Sequence, residues 1–195
     1  MMEFVPNNIY HVYNRGNNSQ PIFFERENYL FFLKKIRNHL SPFVEILAYC
    51  LMPNHFHLLV FIPESDSGLD LKSNPEFVIN QKINNSIGII LRSYTRAINK
   101  KFNRTGSLFQ KGTKAKKMNS YQQSFVAFHY LHQNPIEADL VKNMQDWEFS
   151  SFSDYGGYRK GTLVNKQLAY DLLDISQESR AFNYQSLGVK IGDDR

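Results

Sequence analysis

The 195-residue chain predicts an α+β fold built on antiparallel strands, and three observations lead there. The opening elements read strand, helix, strand, strand. Two of those strands are joined by a turn so short that they must form an antiparallel hairpin. Two more helical stretches then flank an extended, lysine-rich segment. The chain is 42% hydrophobic and long enough for one well-buried core, so we expect one domain over 1–157 and an extension over 158–195 that is partly helical or frayed. No apolar run approaches the roughly 20 residues that span a bilayer. The stretch from Met1 to Pro6 lacks the basic and apolar parts of an export signal, and Cys50 is the only cysteine. A cytoplasmic protein without internal disulfides and without a membrane partner is expected.

Ile9 to Tyr13 alternates and is rich in β-formers, then breaks at the polar Asn14 to Asn18, giving a first strand and a loop from which Arg15 could face a phosphate. Glu27 to Leu40 carries apolar residues at helical spacing and stops at Ser41-Pro42. Val44 to Leu51 reads as a strand. It turns through Met52-Pro53-Asn54 into His55-Phe56-His57-Leu58-Leu59-Val60-Phe61-Ile62. Side chains alternate across a strand, so Phe56, Leu58, Val60 and Ile62 form a core face that needs no histidine, while His55 and His57 share the other face at the strand's mouth. Two histidines so placed are a metal site in embryo, although a bare His-x-His is far more often an ordinary polar strand end, with metal binding at roughly one in ten. Pro63 to Pro75 gathers Glu64, Asp66 and Asp70 with serines and reads as an exposed acidic loop.

The net charge is +5 with a pI near 9.2, and the basic residues cluster. A second helix is expected from about Phe77 to Phe102, with Arg92, Arg96 and Lys100 recurring on one face and Arg104 close behind. A charged helix face is ordinarily a solvated one. Here the next segment, Leu108 to Lys117, is extended and carries Lys111, Lys114, Lys116 and Lys117, so we take it as a fourth strand and the two basic elements as a nucleic-acid surface.

A third helix starts at Asn119 or Ser120 and should end near Gln133, because Pro135 biases Asn134 away from helical geometry. At 100° per residue Tyr121, Phe125, Phe128 and His132 form the packing face, with His129 exposed, while Tyr130 points almost the opposite way. Asn134, one turn on, would project from the side of Tyr130 if the helix persisted that far. Trp147 to Phe152 should cover one end of the core with its aromatics, and a short helix is expected around Leu168 to Leu173.

Three separated motifs agree: Pro53-Asn54-His55-Phe56-His57; Arg104-Thr105-Gly106-Ser107-Leu108-Phe109-Gln110; and Tyr130-Leu131-His132-Gln133-Asn134-Pro135 followed by Trp147-Glu148-Phe149-Ser150-Ser151-Phe152. With them the chain, from roughly Tyr10 to Tyr155, resembles the single-tyrosine transposases of the His-hydrophobic-His (HUH) nuclease superfamily, and within them the REP-associated tyrosine transposases. The resemblance implies a ferredoxin-like antiparallel sheet with helices packed on one face. It implies His55, His57 and Asn134 as ligands of Mg²⁺ or Mn²⁺ and Tyr130 as nucleophile. The activity implied is cleavage and rejoining of DNA through a 5′-phosphotyrosine link. Lys111-Gly112-Thr113 departs from the family's pattern, which usually continues Leu-Phe-Gln with an arginine and an aromatic.

Each residue suits its implied role. Imidazoles bind divalent transition ions, and an amide oxygen adds a hard donor without further negative charge near phosphate. A free tyrosine has a pKa of about 10, so forming the phenolate at neutral pH costs about 4 kcal/mol, which the site must supply. A tyrosine reaching over an open sheet meets a flexible single strand or a hairpin tip more readily than a phosphate in stacked duplex, so single-stranded or hairpin DNA is the expected partner. The resemblance points to a monomer, with a dimer open, nucleoid-associated in a prokaryotic cytoplasm. Two other classes fit the same residues: a catalytically vestigial DNA- or RNA-binding module on this fold, and a structural partner in a larger complex.

Overall fold

The computed structural model describes residues 2–64 and 75–189. Beyond Glu64 the expected acidic loop lies outside the described residues, as does the polar end of the chain after residue 189. Strand β1 (Asn8–Arg15) leads to helix α1 (Arg26–Lys35), which Glu25 and Asn28 start with a reciprocal capping box and which runs on as a π-turn over Ile36–Leu40. Then come the hairpin β2 (Glu45–Met52) and β3 (His55–Ile62), the long helix α2 (Pro75–Lys101), β4 (Lys114–Lys117) and α3 (Tyr121–Glu137). Three shorter helices follow: α4 (Phe152–Tyr155), α5 (Lys166–Leu173) and α6 (Ser179–Gly188). The sheet is antiparallel throughout, in the order β2-β3-β1-β4. This is the α+β class and the open antiparallel sheet that the sequence predicts. Among the described residues no helix is long and apolar enough to cross a membrane.

The expected alternation of β3 holds: Phe56, Leu58, Val60 and Ile62 are all buried. Phe56, Leu58 and Val12 meet Phe32 and Ile36 of the first helical segment and Ile87 and Ile90 of α2. Phe109 joins Phe32, Phe56 and Tyr94 in one aromatic group. Truncating Phe32 there to alanine would cost about 3–5 kcal/mol. Helices α1 and α2 thus cover one face; the expectation that the helices share one face does not extend to α3, whose Tyr130 meets His57 on the other.

The other face is covered at its β2 side by α3, which rests on β2 and β3. What holds it there is the Trp147-to-Phe152 segment, which runs along the free edge of β2. Leu51 N donates to Phe149 O at 2.9 Å and Ser151 N to Tyr49 O at 3.0 Å. The Trp147 indole N–H caps Leu51 O at 3.0 Å, and Phe149 stacks on Tyr29 at 3.8 Å. The fully buried Ser151 hydroxyl takes the Tyr49 N–H at 2.9 Å and lies 2.7 Å from His132 Nε2 on α3. A pair of serines that looks incidental in sequence therefore ties the third helix to the sheet edge.

Three elements differ from expectation. The fourth strand pairs only over Lys114–Lys117, because Leu108 and Phe109 turn into the core and Gly112, at φ 80°, bends the backbone through a region that favours glycine. Helix α3 does not stop at Gln133 but continues through Pro135 to Glu137. Proline forfeits only its own N–H; the bonds Ala138 N to Asn134 O and Leu140 N to Pro135 O, both 3.0 Å, close the helix end beyond it. His129, expected at the surface, is fully buried, because α6 lies against α3: His129 Nδ1 is 3.0 Å from Ser186 Oγ, and Phe182 packs beside the ring.

Candidate active site

The register of three strands assembles one polar row-and-column pattern on the sheet face that carries the histidines. Arg15 lies opposite His55 and Tyr13 opposite His57. Lys114 lies opposite Tyr13 and Lys116 opposite His11. Because side chains alternate, His11, Tyr13, Arg15, His55, His57, Lys114 and Lys116 all share this face. From the other side α3 brings Tyr130, whose ring is edge-on to His57 with centroids 5.9 Å apart. Asn134, one helical turn later, bonds Tyr130 O through its Nδ2 at 2.7 Å, and its side chain is close enough to His55 to favour that ring's proton. Helix α3 can do this only because it continues through Pro135.

Both candidate ligands are held from behind. His55 Nδ1 is 2.6 Å from Asn54 Oδ1, and the Asn54 amide is itself oriented by donation from Nδ2 to Ser19 O at 3.1 Å. His57 Nδ1 is 2.8 Å from His11 Nε2. In each ring the Nδ1 atom is engaged, and Nε2 is available to a ligand where Nδ1 carries the ring's proton. Burial, then the Arg15 charge, holds the His55 pKa down to about 4, against the lesser opposing pull of Asn134. Burial, then His11, His55 and Arg15, pushes His57 well below its ordinary value. His11 falls to about 4 through burial and then Lys116. The three rings are therefore neutral near pH 7, the state in which imidazole donates to a metal. Two neutral imidazoles and a nearby side-chain amide oxygen suit a divalent ion, so the donor set fits. Among the described residues no group of three or more His, Cys, Asp or Glu side chains could hold a metal together.

Tyr130 is half-buried, and among the described residues its hydroxyl makes no hydrogen bond. Its ring is backed by the core, so the phenol is positioned without being tied.

The basic residues named from sequence fall into separate places. Arg15, Lys114 and Lys116 border the histidine face, with the Lys114 ammonium 5.9 Å from the Tyr13 ring centre. Arg92, Arg96 and Lys111 line an open groove of about 800 Å³ between α2 and the 107–111 segment, together with Asn17, Asn99 and Gln110. Gly106 and Gly112, at φ 83° and 80°, bracket that segment, which gives the unexpected Lys111-Gly112-Thr113 a local reason. Lys100 is exposed further along α2, and Lys117 is exposed on β4 beside Tyr10, off the histidine face. Arg104 is engaged with Gln20 at 3.0 Å and lies over Phe24.

His11 is the residue that sequence reasoning missed. A signal existed: in Tyr10-His11-Val12-Tyr13 the core takes Tyr10 and Val12, so His11 must lie on the opposite face. That it meets His57 depends on register, which the strand itself does not carry.

No family model matches the chain, and no curated protein matches it. Among solved structures it is similar to a REP-associated tyrosine transposase bound to a REP hairpin. The identity is 18%, over 80% of this chain and 86% of that one, with a TM-score of 0.54. Two weaker likenesses are a bacterial tRNA(His) guanylyltransferase (Thg1)-like protein in complex with GTP and a putative transposase from Deinococcus radiodurans R1. The first is 13% identical over 73% of each chain, TM-score 0.45. The second is 16% identical over 71% of this chain and 95% of that one, TM-score 0.37. The first likeness shows a shared fold, and it falls on the family whose motifs the sequence resembles.

Proposed function

We propose that this protein is a metal-dependent DNA transposase of the single-tyrosine type, cleaving and rejoining single-stranded or hairpin DNA through Tyr130. The observation that carries the reading is the meeting of His55, His57, Tyr130 and Asn134, residues from separate motifs, on one face of a sheet whose fold a REP-associated tyrosine transposase shares. Bound by His55, His57 and Asn134, Mg²⁺ or Mn²⁺ would polarise the scissile phosphate and spread its developing charge. Arg15, at the end of β1 beside His55, draws the phosphate to the histidine face. Tyr130 Oη forms a bond to phosphorus as the bond from phosphorus to the 3′ oxygen breaks. The phenol proton leaves Oη and the departing 3′ oxygen gains one, so the products are a 5′-phosphotyrosine and a free 3′-hydroxyl. One phosphodiester is exchanged for another, and a 3′-hydroxyl can reverse the step and rejoin DNA. The Arg92, Arg96 and Lys111 groove and the lysines of β4 hold flanking backbone, the sequence-independent part of affinity. Tyr130 stands at the histidines of its own chain, so the step as proposed needs no second copy; a monomer acting in cis is the reading taken from the family resemblance.

The test is incubation of the purified protein with end-labelled hairpin and single-stranded DNA pools, with Mn²⁺ or with chelator, on a denaturing gel. A metal-dependent, protease-sensitive adduct is expected. Salt-sensitive binding that ignores metal and leaves no adduct would replace the enzyme with a binding module on the same fold.

A further inference from the structure

We infer that His11 is a positioning residue that sets which nitrogen of His57 faces the site. For the consequence on metal affinity this rests on the proposed role of His57 as a ligand; for the protonation pattern it rests on geometry alone. His11 lies on β1 diagonal to His57, since Tyr13 is the direct partner. Its ring stacks on that of His57 with centroids 4.9 Å apart and planes at 28°, and its Nε2 is 2.8 Å from His57 Nδ1.

Two ring nitrogens at that distance share a single proton. If His11 supplied it, His57 would carry its own proton on Nε2 and present no lone pair to an ion. If His57 supplies it from Nδ1, Nε2 is left as a donor. The neighbouring ring indicates which arrangement the face is built for. Asn54 gives its Nδ2 protons to Ser19 O and turns Oδ1 to His55; an amide oxygen only accepts, so His55 carries its proton on Nδ1. His11 stands behind His57 as Asn54 stands behind His55. The two candidate ligands thus have the same support, an acceptor behind Nδ1, one from the β2–β3 turn and one from β1, with different chemistry. With its Nε2 spent on His57, His11 acts through that ring and is not a ligand itself. Tyr13, tilted against His11 with centroids 4.8 Å apart and stacked on His57 at 5.9 Å, packs against both rings.

The experiment has two arms. In metal-free wild-type protein labelled with ¹⁵N-histidine, long-range ¹H–¹⁵N spectra should show His57 protonated at Nδ1 and bare at Nε2, with His11 bare at Nε2. A His57 protonated at Nε2 would overturn the inference. In the second arm Mn²⁺ binding is titrated in wild type, His11→Phe and His11→Gln. Phenylalanine keeps a stacking ring but offers no acceptor, and should weaken binding about 10- to 100-fold. Glutamine restores an acceptor oxygen and should recover most of that loss. Equal affinity in wild type and His11→Phe would overturn the inference. If wild type bound no Mn²⁺, the metal reading would fall, and the metal-free spectra would still decide the arrangement of His11 and His57.

Discussion

Tyr130 meets His57 edge to face, with ring centroids 5.9 Å apart and planes at 76°. The contact joins a helix to a strand some seventy positions earlier, and it places a tyrosine ring beside a buried imidazole. The consequences of that arrangement can be measured.

Asn134 is buried, and its amide sits between Tyr130 O and His55. Asn134→Ala should lower Mn²⁺ affinity and adduct yield on the order of ten-fold or more, as loss of one oxygen donor predicts, with the melting temperature little changed. Isothermal titration and the gel assay read the first two, and a thermal melt reads the third. Unchanged Mn²⁺ affinity would remove Asn134 from the ligand set.

Arg92 and Arg96 are exposed and line the groove beside Lys111. If each neutralises a phosphate, the double alanine variant should flatten the slope of log affinity against log salt by about 1.4 to 1.8, at roughly 0.7 per contact for single strands and 0.9 for duplex. Fluorescence anisotropy across a salt series measures it. Arg104, occupied by Gln20 and Phe24, should change the slope least.

Ser151 is fully buried and bonds both the Tyr49 backbone and His132. Ser151→Ala leaves those groups without a partner and should cost about 1–3 kcal/mol, read as a fall in the urea midpoint. Because the lost bond anchors α3, adduct yield should fall along with stability.

Stability should also depend on pH through the buried histidines of α3. Burial holds His129 at about 4 and, with His129 adding to it, pushes His132 well below 6.5. Both folded-state values are depressed, so as pH falls the unfolded chain takes up protons first. Stability is therefore full above about 6.5 and is lost progressively toward pH 4, by about 1.4 kcal/mol per unit for each histidine. Urea midpoints taken from pH 7 to pH 5 should fall, and less steeply in His129→Leu, by close to one proton's worth of slope.

The core alternation of β3, the β2–β3 hairpin, the span of α2 and the divergence of Tyr130 from the packing side of α3 were legible because each depends on local periodicity. What was not legible depends on register or on contacts distant in sequence. His11 could be placed on a face but not opposite a partner. His129 looked exposed because the helix that buries it, α6, comes 50 residues later and carries little signal beyond Phe182. Asn134 looked non-helical because the rule for residues before proline is statistical, and here hydrogen bonds beyond Pro135 carry the helix past it. The Trp147-to-Ser151 motif was visible as a motif, whereas its work, closing the β2 edge and fastening α3, shows only once the strands are paired.

The central claim is that Tyr130 forms the bond to DNA. Its most direct test is mass-spectrometric mapping of the adduct formed with Mn²⁺ and hairpin DNA, after nuclease and protease digestion, alongside Tyr130→Phe. The account predicts a nucleotide 5′-phosphate on the peptide that carries Tyr130, and no adduct from the folded Tyr130→Phe protein. A phosphorylated peptide from elsewhere in the chain, or an undiminished adduct in the variant, would contradict it.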